Sequence, residues 1–347
     1  MIVTKTPWPA GTATAIGSMP GTNAVEAARI VLGELPDLPY LPELPARGVG
    51  ADLLGRTAAL LVAMPVEVVP SGYRLAARPG LDQRRAHDLM RMDLDALDAV
   101  LQETGVRPAR LKVQLAGPWT FGASVELPRG HRLLTDAGAL RDLVESQVEG
   151  LAAHVRELAD RTGAQIVVQI DEPSLPAVIA GLLPTPSGLS MVPAVAAPEA
   201  QNVLAGVVEA ARKATGSPVL LHCCAPDAPL AVLRGAGADA LGIDLTLPAT
   251  ESTTALDTIG ELWDSGATLL LGLVPGTEPT RPPTLREAAR PALELVDRLG
   301  FPRSLLATQA VPTPSCGFAG ATPEWTRKAM NTLVDLGRVF VEPPEDW

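Results

Sequence analysis

The sequence predicts an α/β chain folded as a single (β/α)8 barrel over residues 1–347. Short apolar runs alternate with amphipathic helical stretches about eight times, with no low-complexity linker and no break in composition. Apolar strands separated by helices imply a parallel sheet covered on its outside. About eight such units in one chain of this length favour a closed barrel over an open sheet. The competing fold, a doubly wound sheet, should carry a glycine-rich G-x-G-x-x-G loop after its first strand, and none is found there.

The elements follow in order. Residues 1–11 are a Pro- and Gly-containing lead-in. Ala13–Pro20 reads as a short strand ending on small residues, and Thr22 or Asn23 caps a helix to about Leu35. Leu38–Leu44 is apolar but broken by Pro39 and Pro42, which makes it a poor central strand. Asp52–Ala63 has helical spacing, and Val66–Tyr73 is a short strand or extended loop. Leu81–Thr104 is a long amphipathic helix, with Leu89, Met92, Leu94, Leu97, Val100 and Leu101 near one stripe. Leu111–Pro118 is a strand stopped by Gly-Pro, and Ala137–Arg161 is a second long helix. Gln165–Ile170 is a buried strand that runs into Asp171-Glu172-Pro173. Helical Pro198–Thr215 precedes the strand Val219–His222, and Pro226–Gly235 is a short helix. Asp239–Asp244 is a strand ending on a carboxylate, and Thr254–Ser265 is helical. Thr268–Val274 is an apolar strand, Leu285–Leu299 a helix, Leu305–Val311 the last strand and Pro323–Val341 the closing helix.

Composition narrows the partners. A net charge of -11 argues against nucleic acid and against an anionic membrane surface, both of which need a basic face. No apolar run reaches the roughly 18 residues of a membrane span. The N-terminus lacks a basic segment followed by an apolar core, so no signal peptide is expected and the cytoplasm is the expected location. Three cysteines do not make a disulfide framework; in a reducing compartment, clustered Cys and His point to metal or catalysis.

The chemistry centres on His222-Cys223-Cys224. Side chains alternate along a strand, so His222 and Cys224 share a face and Cys223 points the other way, against an outer helix. An imidazole and a thiol so placed form half of a zinc site, although H-x-C alone equally describes a buried histidine beside core cysteines. Position adds weight, because barrel enzymes carry their active residues at the C-terminal ends of strands. Ser18, Asp171, Glu172, His222, Cys224, Asp244 and Cys316 all fall at such ends. Cys224, Cys316, His222 and Asp244 supply four ligands of the types tetrahedral zinc takes. Asp171-Glu172 either receives an amino-acid substrate or is a structural cap. Trp119 either floors the pocket or packs the barrel. Arg47 and Arg281 either meet a carboxylate or are solvated. His87, His131 and His154 read as exposed.

These residues carry a resemblance. Ile16-Gly17-Ser18-Met19-Pro20, Ala116-Gly117-Pro118-Trp119-Thr120, Gln169-Ile170-Asp171-Glu172-Pro173, His222-Cys223-Cys224 and Pro314-Ser315-Cys316-Gly317 occur in that order along nearly the whole chain. In this the chain resembles the catalytic barrel of the cobalamin-independent methionine synthase family, which shares its fold with uroporphyrinogen decarboxylase. Long members carry a further N-terminal barrel, for which these 347 residues leave no room. The resemblance implies a zinc-dependent transfer of a methyl group to the thiol of homocysteine. It places the Zn2+ ligands at His222, Cys224 and Cys316. The family's remaining ligand is a glutamate; Asp244 stands nearest its place and reaches one methylene less. Gly17 and Ser18 match the loop that holds the homocysteine backbone. Asp171 matches the carboxylate that receives its amino group and is the candidate catalytic residue. Glu43 is offered as the second such carboxylate.

The departures concern the methyl donor. Folate-using members carry a Trp where Ser124 stands here, a Glu where Ala177 stands, and a proton-donating His absent from Gly272–Pro279. They point away from methyltetrahydrofolate and toward a corrinoid, or its carrier protein, or another donor. Two alternatives remain: a metal-free lyase of the uroporphyrinogen decarboxylase type, and a non-catalytic zinc- or thiol-binding protein.

Overall fold

A computed structural model describes residues 8–185 and 187–342, so the first seven residues of the lead-in lie outside the described residues. Its strands are β1 (Val66–Val69), β2 (Gly72–Leu75), β3 (Arg110–Ala116), β4 (Val125–Glu126), β5 (Gln165–Asp171), β6 (Val219–Cys223), β7 (Ala240–Asp244), β8 (Thr268–Val274) and β9 (Ala310–Pro314). Six of them form one curled, all-parallel sheet in the order β3-β5-β6-β7-β8-β9. Helices separate the successive strands, as parallel connections require.

The eight staves expected of a barrel become six strands and two extended segments. Residues 13–20 and 38–44 form only isolated parallel bridges, Ser18 with Glu43 and Tyr40 with Lys112. Met19 N–H donates to the Glu43 carbonyl at 2.8 Å, and Glu43 N–H returns to Gly17 at 3.1 Å. Leu41 N–H reaches Lys112 at 2.9 Å, and Thr14 N–H reaches Pro312 of β9 at 3.4 Å. The physical cause lies in Pro39, Pro42 and Pro312, which donate nothing to a ladder, so pairing survives only between them.

Strand periodicity divides the sheet's two faces. Ile166, Val168 and Ile170 of β5, and Val219, Leu221 and Cys223 of β6, join the large core beneath the helices. The alternate residues Val167 and Leu220 join Leu38, Ala240, Leu270 and Val311 in a separate apolar cluster on the concave face. Extending that alternation places Lys112, Gln114, Gln169, Asp171 and His222 on the concave face above this cluster, with Cys223 on the helix side.

Most helices match the expected spans. Residues Leu81–Thr104 are helical as expected, while the second long helix runs Ala137–Thr162. Asn23 caps the helix Ala24–Glu34 and Asp52 caps Leu53–Leu60 through side-chain oxygens. The differences have local causes. Val66–Tyr73 folds as a hairpin, because Pro70-Ser71 turns β1 back on β2. Short helices at Pro118–Ser124 and Leu175–Ala180 begin directly after strands β3 and β5, each with a proline in its first turn. The last strand starts five residues later than expected, since Arg303–Gln309 forms helical turns. Met92 is 56% exposed, and its place on the buried stripe is taken by Asp93. His154 is buried against Arg56, not exposed, and burial and that neighbouring charge lower its pKa to about 3. His87 and His131 are exposed as expected. No helix among the described residues is long and apolar enough to cross a membrane.

The helices Leu53–Leu60 and Ala137–Thr162 touch at Gly150, where an added Cβ would run into the Leu60 carbonyl. Backbone cannot yield as a flexible side chain does. Gly150→Ala is therefore expected to destabilise the chain by about 1–3 kcal/mol, read as a lower denaturation midpoint at unchanged m-value.

Candidate active site

The concave face turns polar toward the C-terminal ends of β3, β5 and β6, and there a continuous hydrogen-bonded chain begins. Lys112, fully buried, donates to the Ile16 carbonyl and to Gln169 Oε1, each at 2.7 Å. Gln169 Nε2 donates to Asp171 Oδ1 at 2.8 Å and to the Ile16 carbonyl at 3.0 Å. Asp171 Oδ1 lies 2.7 Å from His222 Nδ1, with both side chains buried. Since the carboxylate accepts, His222 Nδ1 carries the proton and Nε2 keeps its lone pair free to bind a metal. Burial pulls Lys112 down to about 7, opposed by Asp171 and Glu43.

Glu43 enters from the extended segment 38–44 and is 4% exposed. Its Oε1 has no hydrogen-bond partner and lies 3.7 Å from Arg56 Nε. Arg56 and Arg47 both pair with Asp93, the latter at 2.7 Å. Burial lifts Glu43 to about 7; Arg56 opposes the rise and the nearby Asp171 adds to it. Arg47 thus meets a carboxylate, and Arg281 pairs with Glu287 on the surface.

Asp171, the last residue of β5, and Glu172, the first beyond it, part ways. Glu172 is fully buried and accepts from Trp119 N–H at 3.0 Å, Thr120 N–H at 2.7 Å and the Thr120 hydroxyl at 2.7 Å. These are free donors of the first turn of the helix Pro118–Ser124, which has no cap of its own. Glu172 is thus a helix cap supplied from another strand, and burial lifts it to about 7 against the pull of those donors. Trp119 is buried, its indole donating to the Ala200 carbonyl at 3.1 Å, so it packs between elements.

At the rim, Cys224 Sγ donates to Cys316 Sγ across 3.3 Å. That bond lowers the Cys316 thiol to about 6 against burial and pushes Cys224 up. Cys223 is buried among apolar side chains, as expected from alternation. Ser18 faces the same loop: Phe318 N–H donates to its carbonyl at 2.9 Å, and a Cβ on Gly317 would collide with its hydroxyl. Ser18, Glu43 and the Cys316 loop are thereby brought to one place. Asp244 is half-buried and turned to its own loop, accepting from Thr246 N–H at 2.8 Å and the Thr246 hydroxyl at 2.6 Å. Among the described residues no three His, Cys, Asp or Glu side chains are gathered as a group that could hold a metal ion. Tested against zinc, the donors fit in type, in the contact of the two thiols and in the orientation of His222, while Asp244 is engaged elsewhere.

Residues 10–338 match the family described as cobalamin-independent synthase, catalytic domain. The chain belongs to this family. Two solved structures share its fold over most of both chains. One is a B12-independent methionine synthase from Shewanella sp. W3-18-1 in complex with selenomethionine, at 12% identity, 95% and 97% coverage and a TM-score of 0.58. The other is a putative vitamin-B12 independent methionine synthase from Listeria monocytogenes, at 13% identity, 95% and 98% coverage and a TM-score of 0.55. At such identities the likeness speaks for the fold alone. No curated protein matched the chain.

Sequence reasoning passed over Lys112, Gln169, Arg56 and Asp93. The signal was present: Lys112 and Gln169 interrupt apolar strands at inward positions, and Asp93 sits on an apolar helical stripe.

Glu43 carries a titration with a definite sign. Its folded pKa, about 7, exceeds the ordinary 4.5, so the fold holds a proton the unfolded chain has already released. The associated stability is fully present below about 4.5 and lost as pH rises through about 7. Relative to Glu43→Gln, the parent is expected to lose up to roughly 3 kcal/mol across that window in denaturation at a series of pH values.

Proposed function

We propose that this chain moves a methyl group to the thiol of homocysteine on a zinc ion at the rim of the sheet. The single observation supporting the reading best is the contact of two cysteine sulfurs 3.3 Å apart, one of them two residues along the chain from a histidine whose Nδ1 is hydrogen-bonded to a carboxylate. That is how metal-bound imidazoles are usually held. His222, Cys224 and Cys316 would hold the ion, and Asp244 would complete the set on exchanging its bonds to Thr246. When bound, zinc favours the thiolate form of a substrate sulfur at neutral pH.

The protein's own residues do the rest. Asp171 and Glu43 receive the substrate ammonium group, and a cation beside Glu43 favours its ionised form. Gly17 and Ser18 hold the substrate backbone. The substrate sulfur, its proton released to solvent, attacks the methyl carbon of the donor; the new S–C bond forms as the bond from methyl to donor breaks, and the donor leaves with that electron pair. We read the extended segments 13–20 and 38–44 as the first two staves of a (β/α)8 barrel. Three free cysteines accord with a reducing cytoplasm.

For the donor we favour a corrinoid or its carrier protein over methyltetrahydrofolate, because Ser124, Ala177 and the histidine-free loop after β8 replace the folate-associated residues. The lyase alternative needs arginines free to meet a polyanion, whereas Arg47 and Arg56 both turn onto Asp93.

Purified protein is expected to carry about one zinc per chain, and Cys224→Ser or Cys316→Ser to lower zinc retention by at least about tenfold on dialysis against a chelator. Full zinc retention in both variants would remove the proposed site. In a donor screen at fixed homocysteine, methionine is expected from a methylated corrinoid and not from methyltetrahydrofolate. Rapid turnover with the folate would overturn the donor assignment while leaving the thiol half standing.

A further inference from the structure

Lys112 and Gln169 play no part in the steps above, yet they occupy the centre of the concave face with 0% exposure. Burying a lysine without a role is costly. Both Lys112 hydrogen-bond partners are oxygen acceptors, the Ile16 carbonyl and Gln169 Oε1, so the amine donates to both. Its nitrogen also sits 5.2 Å from the centre of the Tyr40 ring, in range of a cation–π contact.

The consequence falls on Gln169. With its oxygen committed to Lys112, its NH2 group faces the Ile16 carbonyl and Asp171 Oδ1. A reversed amide would set oxygen against oxygen at both places. Lys112 therefore determines which way Gln169 points, and Gln169 determines that Asp171 is met by a donor. The same two side chains clamp Ile16, the residue leading into Gly17 and Ser18, 153 positions away from Gln169 in the chain.

We propose that the buried Lys112–Gln169 pair is the positioning device that makes the site selective for an α-amino acid thiol. It ties the loop that holds the substrate backbone to the carboxylate that receives the ammonium group, so that both ends of the head group are met at one fixed spacing. This rests on the homocysteine reading. Neither residue touches the substrate; both act through Asp171 and the Ile16 loop.

The test compares two thiols, homocysteine and 4-sulfanylbutanoate, which is the same molecule without the amino group. Dissociation constants are measured by calorimetry on the full-length protein at known zinc content, for the parent, Lys112→Met and Gln169→Leu. The parent is expected to prefer homocysteine by at least about tenfold, the scale of one well-placed charged hydrogen bond. Each variant is expected to lose most of that preference while still binding 4-sulfanylbutanoate within about threefold of the parent. Loss of both thiols in parallel would reduce the pair to a structural role and overturn the proposal, as would an unchanged ratio. Should Lys112→Met fail to fold, Gln169→Leu decides, since leucine is of similar volume and removes only the amide. A parent that binds neither thiol, or does not distinguish them, would instead sink the homocysteine reading itself.

Discussion

Ionisable groups enclosed by parallel strands lose their hydration, and hydrogen bonds or pairing with other buried groups must offset that loss. The bond between Asp171 and His222 is where this constraint is met most tightly. Asp171 receives hydrogen bonds from β5 itself, through Gln169, and from β6, through His222. Register makes this possible: Asp171 of β5 stands directly beside His222 of β6. The parallel ladder thus delivers two groups 51 residues apart to hydrogen-bonding distance without any loop having to place them. Remove the carboxylate and His222 loses its orientation, Gln169 loses its acceptor, and the clamp on Ile16 loosens.

A second pairing system lies beside the first. Arg56 and Arg47 share Asp93, and Arg56 also faces Glu43. Arg56 favours an ionised Glu43 while burial favours the neutral acid, and burial is the larger effect. The unpartnered oxygen of Glu43 and its pKa of about 7 both reflect burial that Arg56, 3.7 Å away, offsets only in part. Glu172, adjacent in sequence to Asp171, shows the contrast. Three donors from one helix turn saturate it, and nothing about it awaits a ligand.

How far the fold was legible follows from where its signals are local. The helix Leu81–Thr104 and the strands β5 to β8 were readable because their apolar periodicity is complete within one segment. The segments 13–20 and 38–44 were readable as extended but not as regular strands, because their pairing depends on which partners lack N–H groups. The rim residues were legible because the fold places strand ends together whatever the intervening sequence. Glu172 was named as site or cap, and only the neighbouring helix, brought in from the end of β3, decides for the cap. Lys112, Gln169, Arg56 and Asp93 were missed because a polar residue in an apolar run has no meaning until its partner, often more than 35 residues distant, is known. Each was visible as an anomaly and unreadable as a function.

The same distinction separates the residues proposed for the thiol half of the chemistry from the positions at which the chain departs from folate-using sequences. Asp171, His222 and Glu43 are locked into buried networks, in which removal of one partner leaves another uncompensated. Change there is opposed by stability as well as by function. The positions associated with folate are differently situated. Ser124 closes the last turn of the short helix Pro118–Ser124, and Ala177 lies in another short helix, Leu175–Ala180. Both are half-buried, and neither belongs to the buried networks at the centre of the sheet. Their side chains are free to vary at little cost to the fold. On the proposed function, a scaffold built this way would hold one substrate by groups fixed through burial and leave the other to short helices whose side chains vary at little cost.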